Sequence, residues 1–140
     1  MRRQAGQSIV EFALVLPLFL FLVFGIIYFG CFFADYITLS NAARSSAREA
    51  AVGTDYETVK GYYKDNIKLI TNLYTWSGED DTFTIEKITD DEDGDVPGSV
   101  KVTIKATLNE AFPAYGLMKK VSFPSEYEIQ YSMHDETAGS

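Results

Sequence analysis

The chain has 140 residues, 46% of them hydrophobic, and a formal net charge of −8. That length excludes a multidomain enzyme, and the acidic balance argues against nucleic-acid binding, since positive charge free of acidic neighbours is concentrated only at Arg2 and Arg3. Cys31 is the sole cysteine, so an intramolecular disulfide is excluded and thiolate zinc ligation would need other chains.

Hydrophobicity is unevenly spread. Residues 12–34 contain no charged side chain. A helix over that run is about 34 Å long at ~1.5 Å per residue, slightly more than the ~30 Å hydrocarbon core of a bilayer. Arg2 and Arg3 precede the run and Asp35 follows it. The positive-inside rule therefore places the N-terminus in the cytoplasm and the remaining domain, residues 35–140, outside. A cleaved secretory signal fits poorly, because the run is too long and ends in the bulky "CFFADY" rather than in a small-x-small site. Tyr28, Phe32, Phe33 and Tyr36 cluster at its outer end, where they serve either as interfacial rings or as packing residues.

The start of the run raises a sharper question. Glu11 stands at the mouth of the apolar segment, where a carboxylate is costly and a plain anchor would carry an apolar residue. A cut between Gly6 and Gln7 would create an α-amino group with a reference pKa of about 7.7 to 8.0, mostly protonated near neutrality. Gln7 and Glu11 are one helical turn apart, so ammonium and carboxylate would share a face and could neutralise each other within a chain or between neighbours. At ~4 Å and an effective dielectric of ~20 the Coulomb attraction is about 4 kcal/mol before desolvation is subtracted. The alternative use of Glu11 is a carboxylate favoured by the dipole at a helix start. Pro17 removes a backbone donor inside the span and frees the carbonyl of Ala13, which predicts a kink or a loosened turn.

The string "GQSIVE" with its basic leader resembles the processing signal of type IV prepilins. The longer "GQSIVEFALVLPLFLFLVFGIIYFG", continuing through "NAARSSAREAA", resembles the TadE-like pseudopilins of the tight-adherence (Tad) pilus over about the first third of the chain. The resemblance implies a leader over residues 1–6, an assembly helix over 7–34, Gly6 and Gln7 as the processing residues and Glu11 as an assembly residue; the break at Pro17 either serves assembly, by letting subunits pack or leave the bilayer, or is a harmless bend. It also implies a prepilin peptidase, the Tad assembly machinery, other pilins and membrane lipid as partners. The implied function is that of a minor pilin or pseudopilin needed for pilus assembly, adhesion or surface attachment.

Beyond the span, "DYITLSNAARSSAREAAVG" keeps a helical period, with Gly53 as its stop. Ala42, Ala43, Ser46, Ala47, Ala50 and Ala51 form a stripe of small side chains, suited to close packing against this chain's own sheet or a neighbouring helix. "TDYETVKGYYKDNIKLITNLYTWSG" predicts a second helix, with Thr54 and Glu57 as a capping box and Tyr56, Val59, Tyr63, Ile67, Ile70 and Tyr74 on one apolar face.

After Gly78 the period becomes two. "TFTIEKI", "SVKVTIKATL" and "EYEIQYSM" predict strands of an antiparallel sheet, and "EAFPAYGLMKK" predicts a loop or short helix. The acidic turn joining the first two strands holds Asp90, Asp91, Asp93 and Asp95, but its glycine is misplaced for a helix-loop-helix calcium site. No catalytic constellation, metal set or cofactor motif is assembled: His134 is the only histidine and lies near the C-terminus. The expected fold is α+β, a long N-terminal helix followed by a second helix and a three- to four-stranded antiparallel sheet. The competing function is a permanent membrane anchor for an extracytoplasmic binding module, in which Gly6 is never cut.

Overall fold

The computed structural model describes residues 2–88, 98–113 and 115–139. The acidic residues 90–95 lie outside the described residues. Helix α1 runs unbroken from Arg2 to Ala51, about 75 Å at ~1.5 Å per residue, so one rod serves both the apolar span and the domain. It ends where Gly53 adopts φ 94°: the Gly53 amide donates to the Ala50 carbonyl at 3.2 Å and the Thr54 amide to Glu49 at 3.1 Å. This pair of bonds is the Schellman arrangement, in which a left-handed residue lets the chain turn back over the last carbonyls. A Cβ at Gly53 would also come within 2.9 Å of Thr137 Cγ2, so the position has neither the backbone freedom nor the space for a larger residue.

Helix α2 covers Tyr56–Asn66 and differs from the expected element at both ends. Its cap is Asp55, whose carboxylate accepts from the Thr58 amide at 3.1 Å. Thr54 does not cap it: the helix begins at Tyr56, so Thr54 lies one residue before the cap, and its amide instead closes α1. The predicted helix over residues 67–74 is absent: Ile67 is extended, Ile70 is exposed and Tyr74 begins a strand. The reason lies on α1. The Asp35 carboxylate accepts from the amides of Thr71 (3.0 Å) and Tyr74 (3.4 Å) and from the Thr71 hydroxyl (2.7 Å), so these amides face α1 instead of their own i−4 carbonyls.

The four-stranded sheet is antiparallel and centred on β3 (Ser99–Leu108). One edge of β3 is taken by β2 (Phe83–Ile88), with Phe83 opposite Ile104, and by the two-residue β1 (Tyr74–Thr75), with Tyr74 opposite Leu108. β4 (Glu126–His134) takes the other edge, with Ile104 opposite Ile129. Strand β3 alternates as its sequence dictates, burying Val100, Val102, Ile104, Ala106 and Leu108 on the face that meets α1. A short helix α3 (Tyr115–Lys120) lies between β3 and β4.

The small-residue stripe packs within the chain. Ala43 and Ala47 have no exposed surface, and Ala42, Ser46, Ala50 and Ala51 are buried beside them in the core formed with the sheet. Without side chains beyond Cβ, the α1 backbone sits close enough to the sheet for Val100, Val102 and Ile104 to be fully covered. On the flank, the Arg44 guanidinium lies 5.5 Å from the centre of the Tyr131 ring. The Tyr63 hydroxyl donates to Glu49 at 2.9 Å, tying α2 to α1, and burial followed by this carboxylate pushes the phenol up to about 12.

After β4, buried Asp135 fastens the C-terminal turn. It pairs with Lys87 of β2 at 2.6 Å and accepts from the Thr137 amide at 3.0 Å and hydroxyl at 2.6 Å. The lysine first, then the Thr137 donors, hold its carboxyl down to about 2. A carboxyl whose folded pKa is depressed contributes stability above its unfolded pKa, and loses it as pH falls through the folded value. Thermal unfolding of the full chain in detergent should therefore show stability falling between about pH 4 and pH 2. Asp135→Asn should lower stability at neutral pH and flatten that acid limb.

Candidate functional site

The first turns of α1 form the membrane-proximal site. Gly6 and Gln7 lie in helical backbone, so the bond between them sits inside a turn of the intact chain. Glycine weakens that turn, because its backbone loses more conformational freedom on entering a helix than that of any other residue. Gln7 and Glu11 are brought together as their spacing predicts: Gln7 Nε2 donates to Glu11 Oε1 at 3.4 Å on the exposed surface. The glutamine side-chain amide thus reaches the Glu11 carboxylate across one helical turn. Pro17 lies farther along the same helix, which continues through it.

What surrounds the site matters as much. From Ile9 to Phe24 the large apolar side chains are exposed, Leu14 at 77% and Phe21 at 69%. The helix contains a membrane-length apolar window in which no residue is buried by the rest of the protein. A core helix of a water-soluble domain would be covered, so this surface calls for lipid or another protein as its solvent. The arrangement is compatible with single-pass membrane anchoring.

At the domain end of the apolar run Tyr28 and Phe32 are packing residues, whereas Phe33 stays exposed. The Phe32 ring is centred 5.8 Å from Tyr74, 6.0 Å from Phe123 and 5.6 Å from Tyr127. Tyr28 meets Phe112 and Phe29 meets Phe123 edge to face. The domain therefore grips α1 several residues below Asp35. Asp35 was legible in the sequence only as the charge ending the apolar run, yet it is fully buried and, among the described residues, forms no ion pair. Only the fold brings Thr71 and Tyr74 to it, and no local motif marks them. Cys31 is a half-buried free thiol whose carbonyl lies 3.5 Å from the Thr71 hydroxyl.

This cluster also strains the polar accounting. The Tyr74 hydroxyl donates to the Pro124 carbonyl at 2.7 Å, and burial, then proximity to Asp35, pushes its phenol up to about 12. The Tyr127 hydroxyl is buried without a partner among the described residues, and burial raises its phenol further. Removing an unsatisfied buried hydroxyl relieves a desolvation cost of about 1 to 3 kcal/mol. Tyr127→Phe should therefore leave the domain unchanged or stabilise it by about 1 kcal/mol, read from the denaturant midpoint followed by Trp76 fluorescence.

Among the described residues no group of three or more histidine, cysteine or acidic side chains is placed to hold a metal ion. No curated protein and no solved structure matches this chain. The family model that matches is that of the TadE-like proteins, over residues 6–48, the segment that runs from the glycine before Gln7 to the second arginine of the domain end of α1. The resemblance carried by "GQSIVEFALVLP" and the alanine-rich continuation is thus found independently: over Gly6 to Arg48 this chain is similar to the TadE-like proteins of the Tad pilus.

Proposed function

We propose that the chain is a minor pilin-like subunit of a Tad-type pilus, a structural protein rather than an enzyme. It waits in the cytoplasmic membrane with its N-terminus inside and its domain outside, loses residues 1–6 to a prepilin peptidase, and then joins other pilins through α1. The observation that carries this reading is an uncovered apolar helix that begins with Glu11 one turn beyond Gln7, within the TadE-like segment. An exposed carboxylate at that level is wasteful in a simple anchor. It is useful where a freed ammonium, on this chain or its neighbour, can neutralise it as helices pack side by side. Once Gly6 is gone, the Gln7 nitrogen becomes that ammonium, at the start of the turn that ends on Glu11.

Support for the orientation comes from the charge pattern alone, with Arg2 and Arg3 before the span and an acidic domain after it. Adhesion or surface attachment would be a consequence of pilus membership. Mass spectrometry of the mature N-terminus from membranes and sheared pili of the native host tests the proposal. The expected product begins at Gln7 and occurs in the pilus fraction. A product that still begins at Met1 or Arg2 and stays in the membrane would instead establish a permanently anchored module.

A further inference from the structure

An apolar groove of about 440 Å³ separates the outer half of the membrane helix from α3. Phe21, Phe24 and Phe29 line one wall, and Leu117, Val121 and Phe123 line the other. Leu117 and Val121 are 60% and 59% exposed, a poor arrangement for residues in water. Their level along α1 is the informative part. With Phe12 at the inner edge of the hydrocarbon, Phe21 lies about 14 Å and Phe29 about 26 Å farther along a rod rising ~1.5 Å per residue. A core ~30 Å thick then places Phe21 near the midplane and the rest of the groove, with α3 beside it, in the outer leaflet.

We infer that α3 is an interfacial element that dips into the outer leaflet, and that the groove between it and α1 holds an acyl chain of an outer-leaflet phospholipid. Continuity identifies the occupant. The groove's α1 wall, with Phe21, is part of the same uncovered apolar surface that includes Leu14, so the lipid that covers the helix also has access to the groove. Charge supports it as well. Lys119 and Lys120 end α3 beside Val121 and are exposed, and their long stems let the ammonium groups rise to the phosphate level while Leu117 and Val121 remain among acyl chains. Lys119 Nζ lies 5.9 Å from the centre of the Tyr115 ring, an aromatic residue of the kind that favours the headgroup boundary. The upper part of the apolar run is therefore shared between lipid and the domain's own Phe112 and Phe123.

The inference rests on the reading that α1 spans a bilayer, and the test separates the two. The full chain carrying Cys31→Ser is reconstituted into vesicles of phosphatidylcholine and phosphatidylglycerol. Nitroxide labels are attached singly at Leu117→Cys, Val121→Cys, Leu14→Cys and Tyr62→Cys, all exposed positions, with Trp76 fluorescence verifying the fold. Power saturation with oxygen and with a nickel chelate reports depth. The expected result is that labels at 117 and 121 favour oxygen over nickel several-fold, as at 14, whereas 62 shows the reverse. If 117 and 121 follow 62 while 14 remains oxygen-accessible, α3 lies in water and the inference fails although the span stands. If 14 also follows 62, the spanning reading itself fails. If 117 and 121 are shielded from both reagents and show spin–spin broadening that disappears on dilution with unlabelled chain, a second copy fills the groove and the lipid occupant is overturned.

Discussion

Asp35→Ala should unfold the outer domain at a denaturant concentration well below that of the wild type, with a loss of about 3 kcal/mol. The carboxylate accepts three hydrogen bonds, from the Thr71 amide and hydroxyl and from the Tyr74 amide, at a site with no solvent access. Alanine leaves those donors facing an apolar methyl group, and each buried unsatisfied amide costs about 1 to 3 kcal/mol. The damage should spread, because Tyr74 starts β1 against Leu108 and belongs to the aromatic cluster around Phe32. Asp35→Asn retains one acceptor oxygen but turns an NH2 group toward the remaining donors, so its loss should be intermediate. Trp76, whose ring centre is 5.8 Å from that of Phe83, reports the transition in the full chain in detergent. Equal midpoints for wild type and Asp35→Ala would show that the segment at 71–74 is held by something else.

Glu11→Ala should leave leader removal intact and nearly abolish recovery of the chain in sheared pili, while its amount in the membrane stays the same. The separation follows from the two roles proposed above, and holds on that proposal. Cleavage depends on the bond after Gly6, so Gly6→Ala should retain the leader and keep the intact mass. Packing depends on a carboxylate able to meet the Gln7 ammonium, and alanine strands that charge in hydrocarbon beside a neighbouring helix. Loss of both together would tie Glu11 to peptidase recognition instead. Normal incorporation of Glu11→Ala would remove the electrostatic account of assembly altogether. Because Glu11 is exposed and, among the described residues, is hydrogen-bonded to the equally exposed Gln7, neither outcome should be confused with misfolding.

Much of this molecule was legible where sequence and structure share a period. The ten-residue run of β3 alternates between faces as its side chains do, because a strand buried on one side needs period two. Gly53 stops α1 for a local reason, a left-handed turn that glycine adopts without cost. The juxtaposition of Gln7 and Glu11 was legible because it depends only on helical spacing along a single rod.

The second helix shows where local reasoning ends. Its apolar period continues from Tyr56 to Tyr74, yet the helix stops at Asn66 because a carboxylate 36 residues before Thr71 and 39 before Tyr74 competes for their amides. No window of neighbouring residues contains that information. By its own patterning the sequence determined an exposed apolar helix, its charged start, the principal strands and the small-residue face, since each follows from side-chain periodicity and backbone freedom. Tertiary structure alone decided that Asp35 is a buried clasp instead of a surface charge, that the outer aromatics pack on Phe123 and Tyr127, and that α3 lies beside the membrane helix. Those outcomes depend on which donors and rings long-range folding brings together, and burial sets their energy only after the partners have met.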